Sequence, residues 1–345
     1  MRSGRLASLV VLLFALAACS RAPLYHQEAF VFGTRVEVWV AGLPEAEARP
    51  AVASVLREFD RLHRSYHAWQ PSELSALNAA LAEGRAHPVS AELADLLSQA
   101  QRFTELGEQL FDPGIGRLIA LWGFQSDEPP AALPETRALA AWRAARPSLL
   151  DLRLDGQTAS SSQRWLAVDF GGYLKGVALD RAASLLREQG VRDALVNIGG
   201  NVIVLGSKNG QPWRVGIQHP RQAGALATVE LGDGEAIGTS GDYQRYFEAR
   251  GRRYCHILDP RSAEPVGHTQ SLTVLISPQP LAGTISDFAS KPLFIAGDDW
   301  ARLARKLRID QVLRVDAQGR IEVSRALHGR LSYPGGQPEG LEIVR

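Results

Sequence analysis

Cysteine is nearly absent: the 345 residues contain two, Cys19 and Cys255. With Cys19 modified as argued below, no intrachain disulfide can form, and the fold must stand on its hydrophobic core. Charge of one sign is also lacking. Lys and Arg number 38 against 37 Asp and Glu, a formal net charge of +1. The basic residues are scattered as well. Both facts exclude a nucleic-acid footprint and a polybasic membrane patch. There is no internal repeat, no low-complexity segment and no G-x-G-x-x-G dinucleotide fingerprint. Long apolar runs are missing after the N-terminus.

The one apolar run, LASLVVLLFALAA from Leu6, follows a short basic region with Arg2 and Arg5. It has the anatomy of a signal peptide and is too short for a comfortable membrane span. It ends LAAC, Leu16 to Cys19, which resembles a bacterial lipobox. A plain secretory signal with a chance cysteine is the weaker reading, because Leu, two small residues and Cys meet at the cleavage point. Lipid chains on Cys19 would hold the chain on a membrane without spanning it. Ser20 after the cysteine favours the outer membrane if the cell is Gram-negative. The expected division is a signal peptide over 1–18, a tether over 19–27 and a folded part over 28–345.

What is present reads as α+β: mostly antiparallel sheets with packed helices, in one large domain or two intimate lobes. EAFVFGTRVEVWVAG alternates like a strand. Val52, Val55, Leu56, Phe59 and Leu62 have helical spacing. Ser90 is an expected N-cap, with Gly107 stopping the helix, and Ser72 is a second cap. A short helix is expected near Pro134 and another over LKGVALDRAASLLREQG. ASSSQRWLAVDF, ALVNIGGNVIVLGSK, PWRVGIQHP, LATVELGDGEAIGTS and SLTVLISP read as strands. A hairpin turns at Arg250-Gly251. Cys255 alternates with Tyr254 and His256 on the return strand, so it faces away from them. It reads as a small buried residue rather than a nucleophile.

Several stretches could carry chemistry. In VDFGGYLKGVALD, two glycines between a strand and a helix allow close approach by a ligand, and helix-start amides attract an anion. Lys175 could add charge. A tight turn alone accounts for the glycines equally well. NIGGN, Asn197 to Asn201, marks a bulge or a place where something packs on bare backbone. GTSGD, from Gly238, reads as a hydroxyl-rich turn able to cradle a phosphate or a ring edge. His256 beyond it is either a general base or a hydrogen-bonded sheet histidine. Phe111 to Phe124 form core or the wall of a flat-ring site around the Asp112-Pro113-Gly114 turn. Tyr66 and Trp69 precede the Ser72 helix. Asp287 opens an apolar helical run, as a helix N-terminal charge or an oxygen ligand for a hard cation.

In order, FGTRVEV, SYHAWQPSELSALN, FDPGIGRLIALWGF, VDFGGYLKGVALD, LVNIGGNVIVLGS, PWRVGIQHP, TSGDYQRYFEARGRRYCHILDPRSAEPV and SDFASKPLFIAG resemble the successive signatures of the FAD:protein FMN transferases, the ApbE family. The resemblance covers nearly all of the chain after the signal. It implies cleavage of FAD, transfer of FMN through a phosphoester to a threonine or serine hydroxyl of an acceptor protein, and release of AMP. It implies Mg²⁺ bridging phosphate oxygens and an extracytoplasmic, lipid-anchored enzyme. The acceptors would be extracytoplasmic parts of redox complexes. His256 is then the base. Phe32, Tyr66, Leu110, Phe111, Asp112, Gly171, Val177 and Leu258 line the FAD site, with Thr239 and Asn78 as further contacts. Leu174, through its backbone oxygen, and Asp287 hold the metal.

Two positions depart from the family pattern. Phe32 stands where methionine is usual, and Lys291 stands where a threonine completes the metal site. Lys291 either pairs with Asp287 and replaces part of the metal's charge, or points to solvent while backbone oxygens complete a Mg²⁺ site. The rival readings of the whole chain are a flavin-binding maturation lipoprotein without catalysis and an FAD pyrophosphatase.

Overall fold

Three two-residue turns set three strand pairs. Phe32-Gly33, Gly199-Gly200 and Arg250-Gly251 each place both residues at positive φ. This is the geometry of type I′ hairpins, whose twist matches that of the strands they join. The computed structural model describes residues 23–344 apart from 127, 129 and 131. The expected signal peptide and Cys19 lie outside the described residues.

The larger strands are β1 (Leu24–Val31), β2 (Thr34–Ala41), β3 (Ala194–Ile198), β4 (Asn201–Leu205), β5 (Trp213–Gln218), β6 (Ala225–Leu231), β7 (Ala236–Gly241), β8 (Tyr246–Ala249), β9 (Arg252–Cys255), β10 (Thr269–Ile276), β11 (Val312–Asp316), β12 (Ile321–Ser324) and β13 (Glu342–Val344). The larger helices are α1 (Glu45–Ser65), α2 (Glu73–Glu83), α3 (Ala91–Leu106), α4 (Gly116–Leu121), α5 (Thr136–Ala145), α6 (Leu174–Glu188), α7 (Ala282–Ala296) and α8 (Trp300–Leu307). A nine-stranded sheet runs β1-β2-β3-β4-β7-β10-β11-β12-β13. Its neighbours are antiparallel except for the parallel β12-β13 pair.

Strand alternation sends side chains to two cores. Val38, Val196, Ile203 and Val274 pack under α1, α3, α6, α7 and α8. Val202, Val204, Ile237, Leu275 and Leu313 face Trp213, Ile217 and Leu231 of the small sheet holding β5 and β6. A third, aromatic core joins Leu118, Trp122, Phe124 and Trp142 to Phe247, Tyr254 and Leu258 of the hairpin region. Tyr254 and Leu258 therefore lie on one side of the return strand, and Cys255 goes to the main core on the other. The Cys255 thiol is buried, and burial pushes its pKa up to about 12. It is an inert packing group.

Helices α6 and α7 cross almost backbone to backbone. A Cβ on Gly176 would lie 2.6 Å from the Gly283 carbonyl oxygen and 2.7 Å from Asp287 Cβ. A Cβ on Gly283 would lie 2.8 Å from Leu179 Cβ. Each helix also caps the other. Asp180 on α6 accepts from the Gly283 and Thr284 amides, both at 2.8 Å. Leu281, at the N-cap of α7, has no side-chain acceptor of its own. Asp287 on α7 accepts from the Gly176 amide at 2.8 Å. Gly176→Ala forces the helices apart and is expected to cost about 1–3 kcal/mol. Urea unfolding checks this; an unchanged midpoint contradicts the close crossing.

Most expected elements are present, including the Ser72 and Ser90 caps and the Arg250-Gly251 turn. Several differ. GTSGD is not a turn: Gly238 to Gly241 lie in β7, at the middle of the sheet. Its residues are small because α7 presses on the strand. A Cβ on Gly238 would lie 2.4 Å from the Ser286 oxygen. NIGGN is the β3-β4 hairpin turn rather than a bulge in one strand. LATVELGDGEAIGTS splits into β6 and β7. ASSSQRWLAVDF keeps only its first residues in a strand (Thr158–Ser160). The rest forms only a single parallel bridge, Ala167 to Ile115, with the Asp169 amide donating to the Pro113 carbonyl, so no full strand precedes the Gly171-Gly172 turn. Asp287 does not open its helix; α7 starts at Ala282. Strand β1 begins at Leu24, inside the expected tether. His256 sits one residue beyond β9.

Candidate active site

The turn at 169–173 and the first turn of α6 form the floor of the site. Asn78 on α2 fixes this turn by clasping the Val168 backbone from both sides. Its Nδ2 donates to the carbonyl at 2.8 Å, and its Oδ1 accepts from the amide at 2.7 Å. Asp169 Oδ1 accepts from the Gly171 amide at 2.7 Å. Asp169 Oδ2 is buried with no donor, and burial raises the Asp169 pKa. Sequence reasoning missed Asp169. Its signal was a carboxylate two residues before a glycine turn that opens a helix.

Asp287 lies under the start of α6 and is fully buried. Its Oδ2 accepts from the Gly176 amide. Its Oδ1 accepts from Asn201 Nδ2 at 2.8 Å and from the Lys291 ammonium. Asn201 Oδ1 accepts in turn from the Thr239 amide at 3.2 Å. Lys291 Nζ also donates to the Asp287 carbonyl at 2.8 Å. Lys291 therefore takes the first of its two expected arrangements and pairs with Asp287. Its stem runs under the turn: a Cβ on Gly172 would meet Lys291 Cε at 3.5 Å. Burial lowers the Lys291 pKa, Asp287 opposes that shift, and the charge of Lys175 adds to it.

His256 completes the group. Its Nδ1 lies 3.0 Å from the Arg245 carbonyl. A carbonyl only accepts, so Nδ1 carries the hydrogen and Nε2 holds the free lone pair. Burial, then Lys175, Arg245 and Lys291, depress the His256 pKa to about 3. The imidazole is neutral at physiological pH, in the tautomer that accepts a proton at Nε2. Lys175, second residue of α6 and half-buried, has no ion-pair partner among the described residues. A cation in a first helical turn opposes the helix dipole. Lys175 and Lys291 together favour an anion beside a neutral base.

The remaining expected residues surround this group in different ways. Phe32 sits at φ 56 in its turn, a strained position for a bulky residue. Its ring meets Phe59 and His63. Tyr66 is buried against Phe170. Phe111 packs on Tyr173 and Phe288. Val177 and Leu174 are buried on α6, and Leu110 is buried beside Phe111. Leu258 belongs to the aromatic core. Asp112 Oδ1 accepts from the Gly114 and Leu149 amides at 2.7 and 2.9 Å, and burial pushes its pKa up to about 6. Its bonds brace the corner, and it also lines a cavity of about 210 Å³ with Trp142, Arg146 and Arg261. The Thr239 hydroxyl pairs with Thr273 at 2.9 Å, on the sheet face away from Asp287. Gly171 is exposed at the turn.

The donor set around Asp287 does not fit a divalent cation. Both oxygens already accept hydrogen bonds, and Oδ1 has two donors. A dication about 4 Å from the Lys291 ammonium would meet a repulsion on the order of 8 kcal/mol at an effective dielectric of about 20.

The ApbE family model matches residues 32–313. The chain is similar to the FAD:protein FMN transferase of Rhodobacter capsulatus, 41% identical over 325 residues. That match covers 94% of this chain and 61% of the relative, so the chain spans about three fifths of that protein's length. The FAD:protein FMN transferase of Klebsiella pneumoniae (strain 342) is 33% identical, over 72% of this chain and 73% of its own. Among solved structures, the ApbE protein of Thermotoga maritima superposes with a TM-score of 0.81 at 28% identity, over 89% of this chain and 99% of its own. The flavin transferase ApbE from Vibrio cholerae gives 0.77 at 26% identity, over 90% and 100%.

Proposed function

Because this chain belongs to the ApbE family, we propose that it is an FAD:protein FMN transferase. The observation that carries the reading is His256: a neutral imidazole whose Nε2 keeps its lone pair, in the field of Lys175 at the start of α6. In the proposed reaction, a threonine or serine hydroxyl of an acceptor protein attacks the phosphorus of the FMN half of FAD. The hydroxyl proton passes to His256 Nε2. A bond from oxygen to the FMN phosphorus forms, the diphosphate P–O bond breaks, and AMP leaves. Lys175 and Lys291 hold the diphosphate and offset the charge that develops on the leaving phosphate. Phe32, Tyr66 and Phe111 wall the flavin side. Asn78, Asp112 and Asn201 act as positioning residues, because their polar atoms hold backbone or Asp287.

Mg²⁺ is the cation that the resemblance implies, held by Leu174 and Asp287. The pairing of Asp287 with Lys291 argues against it, and the reaction above needs no step on the metal. The proposal also keeps the lipid anchor on Cys19, an extracytoplasmic location and an acceptor in an extracytoplasmic redox complex. LAAC supports these readings.

The test incubates the soluble form, lacking Cys19, with FAD and an extracytoplasmic flavin-carrier domain bearing its acceptor threonine. Flavin fluorescence on the denatured acceptor band is the expected result. No covalent flavin on any acceptor, despite FAD binding, would sink the transferase reading. The neutral His256 gives a further expectation. With the free-enzyme pKa near 3, His256 stays deprotonated from pH 8 down to pH 5. The acid limb of kcat/KM should therefore lie below about pH 5. A limb near 6.5, removed by His256→Gln, would contradict this environment.

A further inference from the structure

We propose that the Lys291 ammonium stands in the place of a divalent cation, and that it and Lys175 form a metal-free diphosphate clamp. The inference rests on the FMN-transferase reading for its substrate, and on this chain's own residues for its content.

Three observations carry it. First, Asp287 is fully buried and saturated, with donors from Gly176, Asn201 and Lys291. Second, Lys291 is anchored twice, to the Asp287 carboxylate and to the carbonyl one turn back. That leaves one of its three N–H groups to point elsewhere, while its stem lies against Gly172. The ammonium is thus held under the glycine turn, not swung to solvent; its side chain is 16% exposed. Third, Lys175 is a half-buried cation on the same helix start with no ion-pair partner among the described residues, and its charge bears on both His256 and Lys291. Lys291 neutralises Asp287, so Lys175 remains as the cation beside the pair, toward a diphosphate. A dication added to this group would crowd like charges.

The clamp also fixes the geometry. The α6–α7 crossing at Gly176 and Gly283 sets how far Lys291 lies from the first turn of α6. A lysine at 291 can reach both Asp287 oxygens, Oδ1 and the backbone carbonyl, only because it sits one helical turn after Asp287. A threonine there could not donate as an ammonium, and would leave the carboxylate open to a metal.

The test compares FAD affinity and FMN transfer in chelator and in millimolar Mg²⁺, using wild-type protein stripped of metal. The expected result is equal affinity and equal transfer in both conditions. Lys291→Thr should bind FAD about ten- to a hundredfold more weakly in chelator and regain affinity with Mg²⁺. Should that variant fail to fold, Lys175→Met leaves the Asp287–Lys291 pair intact. It should weaken FAD binding by a similar factor, with no rescue by Mg²⁺. Wild-type FAD binding or transfer that rises about tenfold or more with Mg²⁺ over chelator overturns the proposal. So does Lys291→Thr, if folded, with unchanged affinity in chelator. Transfer absent in both conditions, with FAD bound, overturns the transferase reading instead. The affinity comparison still decides the clamp in that case.

Discussion

His256→Ala lowers FMN transfer by about 10²–10⁴-fold, the range that positioned acid–base groups contribute, while FAD affinity changes little. The expectation follows from the single free lone pair at Nε2. The Arg245 carbonyl at 3.0 Å holds Nδ1 as a donor, so only Nε2 can take the hydroxyl proton. Burial, and then three cations nearby, keep the ring neutral. Alanine removes the acceptor and leaves the Asp287–Lys291 pair and the α6 amides in place. Single-turnover transfer with saturating FAD and acceptor separates the chemical step from binding. Transfer within a few-fold of wild type would remove His256 as the base and turn attention to Asp169, whose buried Oδ2 has no donor.

Asp287→Ala is expected to lower stability by about 3–5 kcal/mol, because it breaks a buried pair by removing one partner. The carboxylate accepts from the Gly176 amide, Asn201 Nδ2 and Lys291 Nζ. The Gly176 amide and Asn201 Nδ2 lose this acceptor, and Lys291 keeps only the residue-287 carbonyl, its charge left largely buried. The loss is large beside a typical total stability of about 5–15 kcal/mol. The α6–α7 crossing loses one of its two reciprocal caps as well. A chemical-denaturation midpoint and FAD affinity report both effects. An unfolding midpoint equal to wild type would show that Asp287 is not the buried hub described here.

Much of the fold was legible where the local signal had one meaning. Ser72 and Ser90 stood before apolar helical spacing and cap their helices. Arg250-Gly251 offered the φ > 0 pair that a two-residue hairpin needs. The signals with two meanings were the ones misread. A glycine can serve a turn or a close approach, and sequence alone does not separate them. Gly238 and Gly241 have the pattern of a turn but serve a strand, where α7 presses on Gly238. Gly199-Gly200 fits a bulge or a close approach to bare backbone and is a hairpin turn. In WLAVDF, the strand pattern is kept only as a bridge from Ala167 to Ile115, while Asn78 takes the Val168 backbone groups that a second neighbouring strand would otherwise pair.

The site divides in the same way. His256 could be singled out because its block is long and specific, yet its tautomer depends on a carbonyl eleven residues away. The direction of Lys291 was open, since an i,i+4 lysine can pair or face water. In the fold the Gly172 turn lies against its stem, and Asp287 holds its ammonium. Asp169 carried no signal beyond its place before the glycines. Its importance comes from burial and an unused oxygen, which only the folded chain displays.

The most direct test of the account measures AMP release and covalent FMN on the acceptor in one reaction, with metal-stripped enzyme and chelator present. The account predicts that both appear together, one AMP for each FMN attached. AMP without covalent flavin would mean that water takes the acceptor's place, making the chain a pyrophosphatase. Neither product, with FAD bound, in chelator and again after Mg²⁺ is restored, would make it a flavin carrier, and either result would contradict the central claim.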